Sequence, residues 1–411
     1  MITSFIFVSE GPGYQYGIGT YVGCLKKEFA GKSDIAINIV VLSSKNCMEM
    51  TIVREAENIN MVYPPFFGGN NEQERIKNAE AVLHAINSCF KPDNSVIFHF
   101  LVWIGIFIAI ELKKRYSNAV IFDLQSLEWQ FPLNGNKHKF DSYWSQVTKD
   151  CETRYRDWLK PGTIYEKQFC DFADHIIVRT NQMKNDVMET YKATENKISV
   201  IYNGITQEPL TGEKDAIKTK LGFTGEERII LFVGRVCDQK GIQFLIEAFK
   251  LILPDFKDIR LVIAGGGYCD NYLAQCDNIW SKVTFMGRLD TDKIYSLYQI
   301  ADIGVVPSLY EPFGYVILEM MPSIPVITTD IEGPDEIIED GYTGFKVHVM
   351  ENEEGERSIL PEELAKKIKL LLNDPALAKS ITKNASVRLK EQFSAAEMAK
   401  NIAAVYYKLL F

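Results

Sequence analysis

Apolar residues in the first half of the chain recur with two periods. Short runs dense in isoleucine, valine and phenylalanine at 2–8, 36–42, 95–100, 118–123, 174–179 and 197–202 have the length and composition of buried strands. Between them, 18–30, 72–90, 103–116, 150–172 and 181–191 carry apolar residues at helical spacing. Strand and helix patterns that alternate in this way predict a parallel sheet covered by helices on both faces. Residues 130–160, rich in aromatic, asparagine and charged side chains, follow neither period and read as a long excursion.

The alternation breaks at 203–225, where Asn203-Gly204, Pro209, Gly212 and Gly222-Phe223-Thr224-Gly225 are turn formers. A second series then begins, with strands expected at 228–233, 259–264, 282–286, 302–306, 325–329 and 345–348. Helical spacing returns at 361–373 and 376–411. The pattern predicts an α/β protein of two doubly wound halves: an N-terminal domain over 1–205, a C-terminal domain over 206–390, and a last helix, 391–411, packed back on the first. A chain of 411 residues is longer than one core usually supports, which agrees with two domains.

Composition narrows the class. A net charge of −9 argues against broad nucleic-acid binding and leaves room for a peripheral contact with a membrane face. The apolar run from Val96 to Ile110 is about 15 residues, contains His99, and is short of the roughly 20 that span a bilayer. The eight cysteines show no C-x-x-C spacing or zinc-ligand pattern, so they read as reduced thiols of a cytoplasmic protein. The N-terminus opens on a strand pattern with no basic leader region.

The candidate chemistry centres on Glu311-Pro312-Phe313-Gly314-Tyr315-Val316-Ile317-Leu318-Glu319. A buried strand precedes it and a helix follows Pro312, which places Glu311 on the connecting loop and Glu319 two turns into the helix. Eight residues at about 100° each bring both carboxylates towards one side. The backbone N–H groups of Phe313, Gly314 and Tyr315 lie at the helix start, where anions are favoured. An anion cradle flanked by two hydroxyl acceptors suits a nucleotide sugar. A helix started by an acidic residue, with a solvated second glutamate, accounts for the pair as well.

Other features converge on it. Gly234 turns the chain after a strand, so Arg235 and Lys240 both project from the carboxyl edge of the sheet, where they suit a diphosphate. Gly265-Gly266-Gly267 follows the next strand and serves either a ligand or a turn. Gly287-Arg288 ends the strand after that. Near the N-terminus, Gly17 and Gly19 make a glycine-rich strand-to-helix turn without the G-x-G-x-x-G spacing of dinucleotide folds. Asp290-Thr291-Asp292 has D-x-D form but sits where a helix starts, so no metal ligand is assigned.

These motifs, in this order, resemble the retaining GT-B glycosyltransferases of family 4, the group that contains bacterial mannosyl- and glucosyltransferases, glycogen synthases and sucrose synthases. The likeness rests on Val233-Gly234-Arg235 with Lys240-Gly241, Glu311-Pro312-Phe313-Gly314 with Glu319, Pro325 to Asp330, and Asp340-Gly341-Tyr342-Thr343-Gly344-Phe345. It is strong over about 215–350 and moderate over the first 30 residues. Leu133-Asn134-Gly135-Asn136 and Glu319-Met320-Met321 are similar to transferases of bacterial polysaccharide or peptide-modification loci.

The resemblance implies two Rossmann-like domains facing a central cleft. It implies Arg235 and Lys240 on the donor diphosphate, Glu311 on the transferred sugar, and Glu319 on the ribose. Gly17, Gly19, Gly234, Arg288, Phe313, Gly314 and Tyr315 would complete the donor site. His99 falls where the family often places a histidine, as a sugar or acceptor contact; a packed core histidine is the competing reading. Gln125 stands near the position of a second family histidine and cannot act as a base. The implied reaction moves a sugar from a UDP- or GDP-linked donor to a hydroxyl of a glycan, lipid-linked or peptide acceptor in surface polysaccharide synthesis. It needs neither metal nor cofactor. A non-catalytic nucleotide-sugar-binding subunit and a GT-B phosphorylase or epimerase are the rival readings, and oligomeric state is open.

Overall fold

The computed structural model describes residues 1–9, 17–32, 34–42, 49–65, 72–90, 95–147, 159–207 and 212–411. The chain divides into two compact units. The first comprises Met1–Pro132, Tyr143–Thr206 and Ala395–Phe411; the second comprises Leu133–Ser142 and Gln207–Ser394.

The first unit is built on β1 (Ile2–Val8), β2 (Ile35–Val41), β3 (Thr51–Ala56), β4 (Ile59–Tyr63), β5 (Val96–Phe100), β6 (Ala119–Asp123), β7 (His175–Val178) and β8 (Ile198–Val200). They form one sheet in the order β3-β4-β2-β1-β5-β6-β7-β8, parallel except for the β3–β4 hairpin. β1, with every residue but Thr3 buried after Met1, lies between β2 and β5, so strand order reverses there. Its helices are α1 (Gly17–Phe29), α2 (Glu72–Cys89), α3 (Ile106–Arg115), α4 (Lys137–Val147, whose first residues group with the second unit), α5 (Leu159–Phe172) and α6 (Asn181–Tyr191).

The second unit adds α7 (Lys214–Lys220), β9 (Arg228–Val233), α8 (Ile242–Ile252), β10 (Ile259–Ala264), α9 (Asp270–Gln275), β11 (Val283–Gly287), α10 (Thr291–Ile300), β12 (Ile303–Val306), α11 (Tyr315–Met320), β13 (Val326–Thr329), α12 (Glu332–Ile337) and β14 (Phe345–Val347). A two-stranded ribbon, β15 (Val349–Glu351) with β16 (Arg357–Ile359), precedes α13 (Pro361–Asn373) and α14 (Pro375–Gln392). The six-stranded parallel sheet runs β11-β10-β9-β12-β13-β14, reversing at β9 and β12. α8 shows how pattern becomes packing: Ile242, Leu245, Ile246, Phe249 and Ile252 fall at helical spacing and are all fully buried in one core with α13.

The structure departs from the sequence expectation in identifiable places. The β3–β4 hairpin was not expected, because Thr51–Glu55 are exposed edge residues with no buried alternation to signal a strand. The expected helix at 150–172 is seen from Leu159; 150–158 lie outside the described residues. The expected helix 376–411 is two helices, with Phe393 and Ser394 between α14 and α15 (Ala395–Leu410). Phe393 is fully buried and Ala395 N–H donates to the Ile205 carbonyl at 2.9 Å, so the chain turns to bury that ring. α15 packs on α1 within the first unit. Leu133–Ser142, expected in the N-terminal domain, groups instead with the second unit, where the buried Asn136 amide donates to the Gly355 carbonyl at 2.8 Å. No described helix is long and apolar enough to cross a membrane.

Candidate active site

In the second unit the candidate residues emerge from the carboxyl ends of neighbouring strands: Arg235 and Lys240 after β9, Arg288 after β11, and Glu311 after β12. β9 and β12 are adjacent, with Ile230 opposite Ile303. The loops beyond them touch closely. Gly241, in a left-handed conformation at φ +67°, passes so near Pro307 that a Cβ would lie 1.9 Å from its carbonyl oxygen. Leu309 N–H donates to the Gln239 carbonyl at 2.8 Å. Thr328 and Thr329, on β13, donate their hydroxyls to the Val306 and Ser308 carbonyls at 2.9 and 2.7 Å.

This scaffold places the Lys240 ammonium 2.5 Å from the Glu311 carboxylate, across 71 positions of sequence. Both side chains are largely sheltered, which strengthens their attraction over that of a surface pair. Glu311 is therefore held by a cation from the neighbouring loop.

Glu319 lies on α11, and its carboxylate accepts from the Tyr298 hydroxyl at 2.8 Å. Burial raises its carboxyl above the ordinary range, and the Tyr298 bond partly offsets this. One carboxylate accepts several bonds, so Tyr298 leaves capacity for a ligand hydroxyl. The helix expected from Pro312 begins only at Tyr315 and is six residues long, so Glu319 is just over one turn in. The cause is Gly314, whose φ of +116° is incompatible with helix extension towards Pro312. The Gly314 amide donates to no described group. Phe313 is buried against Phe393 and edge-on to Tyr315.

The glycine run after β10 has a structural explanation. A Cβ on Gly265 would sit 1.6 Å from the Gly234 carbonyl oxygen, and one on Gly267 2.1 Å from that of Val236. These glycines let the β10 loop lie against the β9 loop, joined by Val236 N–H to the Gly266 carbonyl at 2.9 Å. Arg235 and Arg288 are exposed beyond this contact. Asp290 precedes α10 and Asp292 lies in its first turn, as its helix-start reading had it.

Two residues that hold Glu311 were not singled out from the sequence. Glu332, at φ +26°, pairs with Arg357 at 2.7 Å, and both side chains are nearly buried. Arg357 also donates to the Leu309 carbonyl at 3.0 Å. Gly333 follows, donating to the Glu311 carbonyl at 3.3 Å, with no room for a Cβ against Phe313. Asn134 and Gly135 join this cluster: Asn134 accepts from the Gln239 amide, and Gly135 packs on Tyr310, Arg357 and Glu332. Arg357 also pairs with Glu351, six positions away across the ribbon, at 3.1 Å, but the partners that bring it to this site, Glu332 and Leu309, are 25 and 48 positions away and leave no local signal.

In the first unit His99 has no accessible surface. Its Nδ1 is 2.7 Å from the Tyr406 hydroxyl and its Nε2 2.9 Å from an Asp123 oxygen. Ser4 donates to Tyr406, which leaves the Tyr406 proton for Nδ1 and the imidazole proton for Asp123. Burial, with Arg179 nearby, lowers the imidazole pKa to about 3, so His99 is neutral. Asp123 also accepts from Tyr21 at 2.6 Å and from Gln125 at 3.1 Å, and pairs with buried Arg179. The competing core reading of His99 is what this geometry supports, and a direct contact with sugar or acceptor is excluded by its burial.

Gln125, by contrast, lines a cavity of about 460 Å³ beyond the carboxyl ends of β1, β2, β5 and β6. Ile18, between Gly17 and Gly19 in the first turn of α1, lines the same cavity.

Two doubly wound parallel-sheet units, each with its candidate groups at the carboxyl edge where strand order reverses, define the GT-B fold. The model for glycosyl transferases group 1 matches residues 213–388, and that for glycosyltransferase family 4 matches 17–208. An uncharacterized glycosyltransferase of Methanocaldococcus jannaschii is 30% identical over 75% of this chain and 81% of its own. The chain belongs to the group 1 glycosyltransferases and is an enzyme of the glycosyl-transferring class. Sucrose-phosphate synthase of Thermosynechococcus elongatus shares the fold at a TM-score of 0.74, with 20% identity over 100% of this chain and 99% of that one. Anabaena HepE, solved with UDP and glucose, does so at 0.72, with 15% identity over 99% and 100%.

Proposed function

We propose that the protein transfers a sugar, with retention of anomeric configuration, from a UDP- or GDP-linked donor held by the second unit. The acceptor is a hydroxyl of a glycan, lipid-linked or peptide molecule held by the first. The observation that carries this reading is the sheltered Lys240–Glu311 pair at the strand-order reversal of the second sheet. HepE, which shares the fold, was solved with UDP and glucose bound.

The chemistry follows from charge. As the bond between anomeric carbon and diphosphate oxygen breaks, negative charge gathers on the leaving group. Lys240 and Arg235 offset it, the arginine through two parallel N–H donors. Release of Lys240 to the phosphate frees Glu311 to accept from sugar hydroxyls. Glu319 is the acceptor for the ribose. The acceptor hydroxyl then attacks the face from which the diphosphate departs, its proton passing to the departing diphosphate oxygen, and two side-chain cations do what a divalent metal does elsewhere.

The test is thermal stabilisation by UDP, GDP and ADP and their sugars in EDTA, followed by turnover. One nucleotide should shift the midpoint, and Lys240→Ala or Arg235→Ala should cut kcat by about 100-fold or more while the fold persists. Wild-type turnover in both variants at saturating donor refutes the assignment. Binding without turnover in the native protein marks a non-catalytic subunit.

A further inference from the structure

The cavity of the first unit carries a cation that has no ion-pair partner among the described residues. Arg75, on α2, is ringed by aromatic faces: its guanidinium carbon is 5.5 Å from the Trp103 ring centroid, 5.7 Å from Tyr165 and 6.0 Å from Phe107. Trp103 and Tyr165 are themselves stacked, 5.7 Å apart and 10° from parallel. Among the described residues no carboxylate lies within ion-pair distance of Arg75, and its buried Nε has no hydrogen-bond partner. A guanidinium sheltered by rings and lacking an anion is poorly hydrated, and so is primed for an anionic ligand.

The two acidic groups of the cavity, Glu166 and Glu128, form no ion pair with Arg75. Glu166 is fully buried, accepts from the Glu128 N–H and from the Tyr191 hydroxyl, and is pushed well up by burial and by Glu128. Glu128 is raised by burial as well. The remaining wall mixes aliphatic groups with Asn78 and with Gln125, whose amide donates to Asp123 and whose carbonyl stays an acceptor. Such a surface suits hydroxyls on a small ring, and the volume is in the small-ligand range.

We propose that this cavity, beyond the carboxyl ends of β1, β2, β5 and β6, binds a hydroxylated acceptor that carries an anionic group, and that Arg75 holds the anion. The proposal rests on the transferase reading for the word acceptor, but the binding claim stands on the cavity alone. The anion is a phosphate or carboxylate, borne by a soluble sugar or by the phosphate link of a lipid-borne sugar.

Calorimetric titration of the full chain, with no donor present, tests it. The probes are glucose 6-phosphate, glucuronate, neutral methyl glucoside, and glucose linked to a farnesyl diphosphate. The native protein should prefer the charged probes over methyl glucoside by about 10- to 100-fold, Arg75→Met should erase that preference, and Arg75→Lys should keep part of it. An unchanged near-ultraviolet circular dichroism spectrum shows that Arg75→Met is folded. Tighter binding of the farnesyl compound assigns the lipid-borne source, and equal binding the soluble one. Equal affinity of the native protein for charged and neutral probes overturns the proposal, as does a preference that survives in Arg75→Met. A chain that binds the charged probes but no nucleotide diphosphate fails the transferase reading and keeps this cavity assignment.

Discussion

His99 offers a sharp test of how burial has reassigned a residue that the motifs present as a ligand. The perturbation is a fall in pH from 7 to 5. In the unfolded chain the imidazole takes up a proton near pH 6.5; in the folded chain burial and Arg179 lower its pKa to about 3. The unfolded state therefore binds more protons below 6.5. Stability from the neutral ring is fully present above pH 6.5 and falls away between 6.5 and 3. pH 5 lies about 1.5 units below the unfolded pKa, which makes the loss about 2 kcal/mol. His175, lowered to about 4, adds a similar acid sensitivity, which cancels when two variants sharing it are compared. His99→Gln removes only the first effect, so its loss between pH 7 and 5 should be smaller than that of the native protein by about 2 kcal/mol. With a urea slope of about 2 kcal/mol per molar, the acid shift of the midpoint differs by about 1 M. Tryptophan fluorescence is the assay, because Trp103, Trp129 and Trp144 belong to the first unit and Trp280 of the second is already exposed. Equal acid shifts in the two proteins would mean that His99 protonates freely when folded, and the buried network would be refuted.

Two further outcomes follow from the second unit. Gly241→Ala forces a Cβ into contact with the Pro307 carbonyl at a φ of +67°, and should cost on the order of 3 kcal/mol and reduce turnover by displacing Lys240; an unchanged unfolding midpoint would show that the two loops are free to part. Arg357→Met leaves Glu332 nearly buried and without its ion-pair partner, so chemical denaturation should reveal a loss of about 3 kcal/mol, and Glu332→Gln should lose less; equal losses would mean that the charge of Glu332 is not what Arg357 offsets.

Local pattern was enough for most of the alternating elements, though not for the β3–β4 hairpin, the start of α11 or the break between α14 and α15. Periodicity is set by neighbours within a few positions, so β9, β10, α10 and α13 appear where spacing put them. Motif spacing likewise located Lys240, Glu311 and Glu319 on the loops and helix of one edge. Strand order and burial are non-local, and these only the folded chain decided. Lys240 meets Glu311 because β9 lies beside β12, and the glycines after β10 are required by the backbone of β9. His99 became a core residue because Tyr406, 307 positions away, closes over it, and Arg75 gained significance only when Trp103, Phe107 and Tyr165 surrounded it. A residue's type is written in the chain, but its charge state and accessibility depend on partners that only the packed structure brings together.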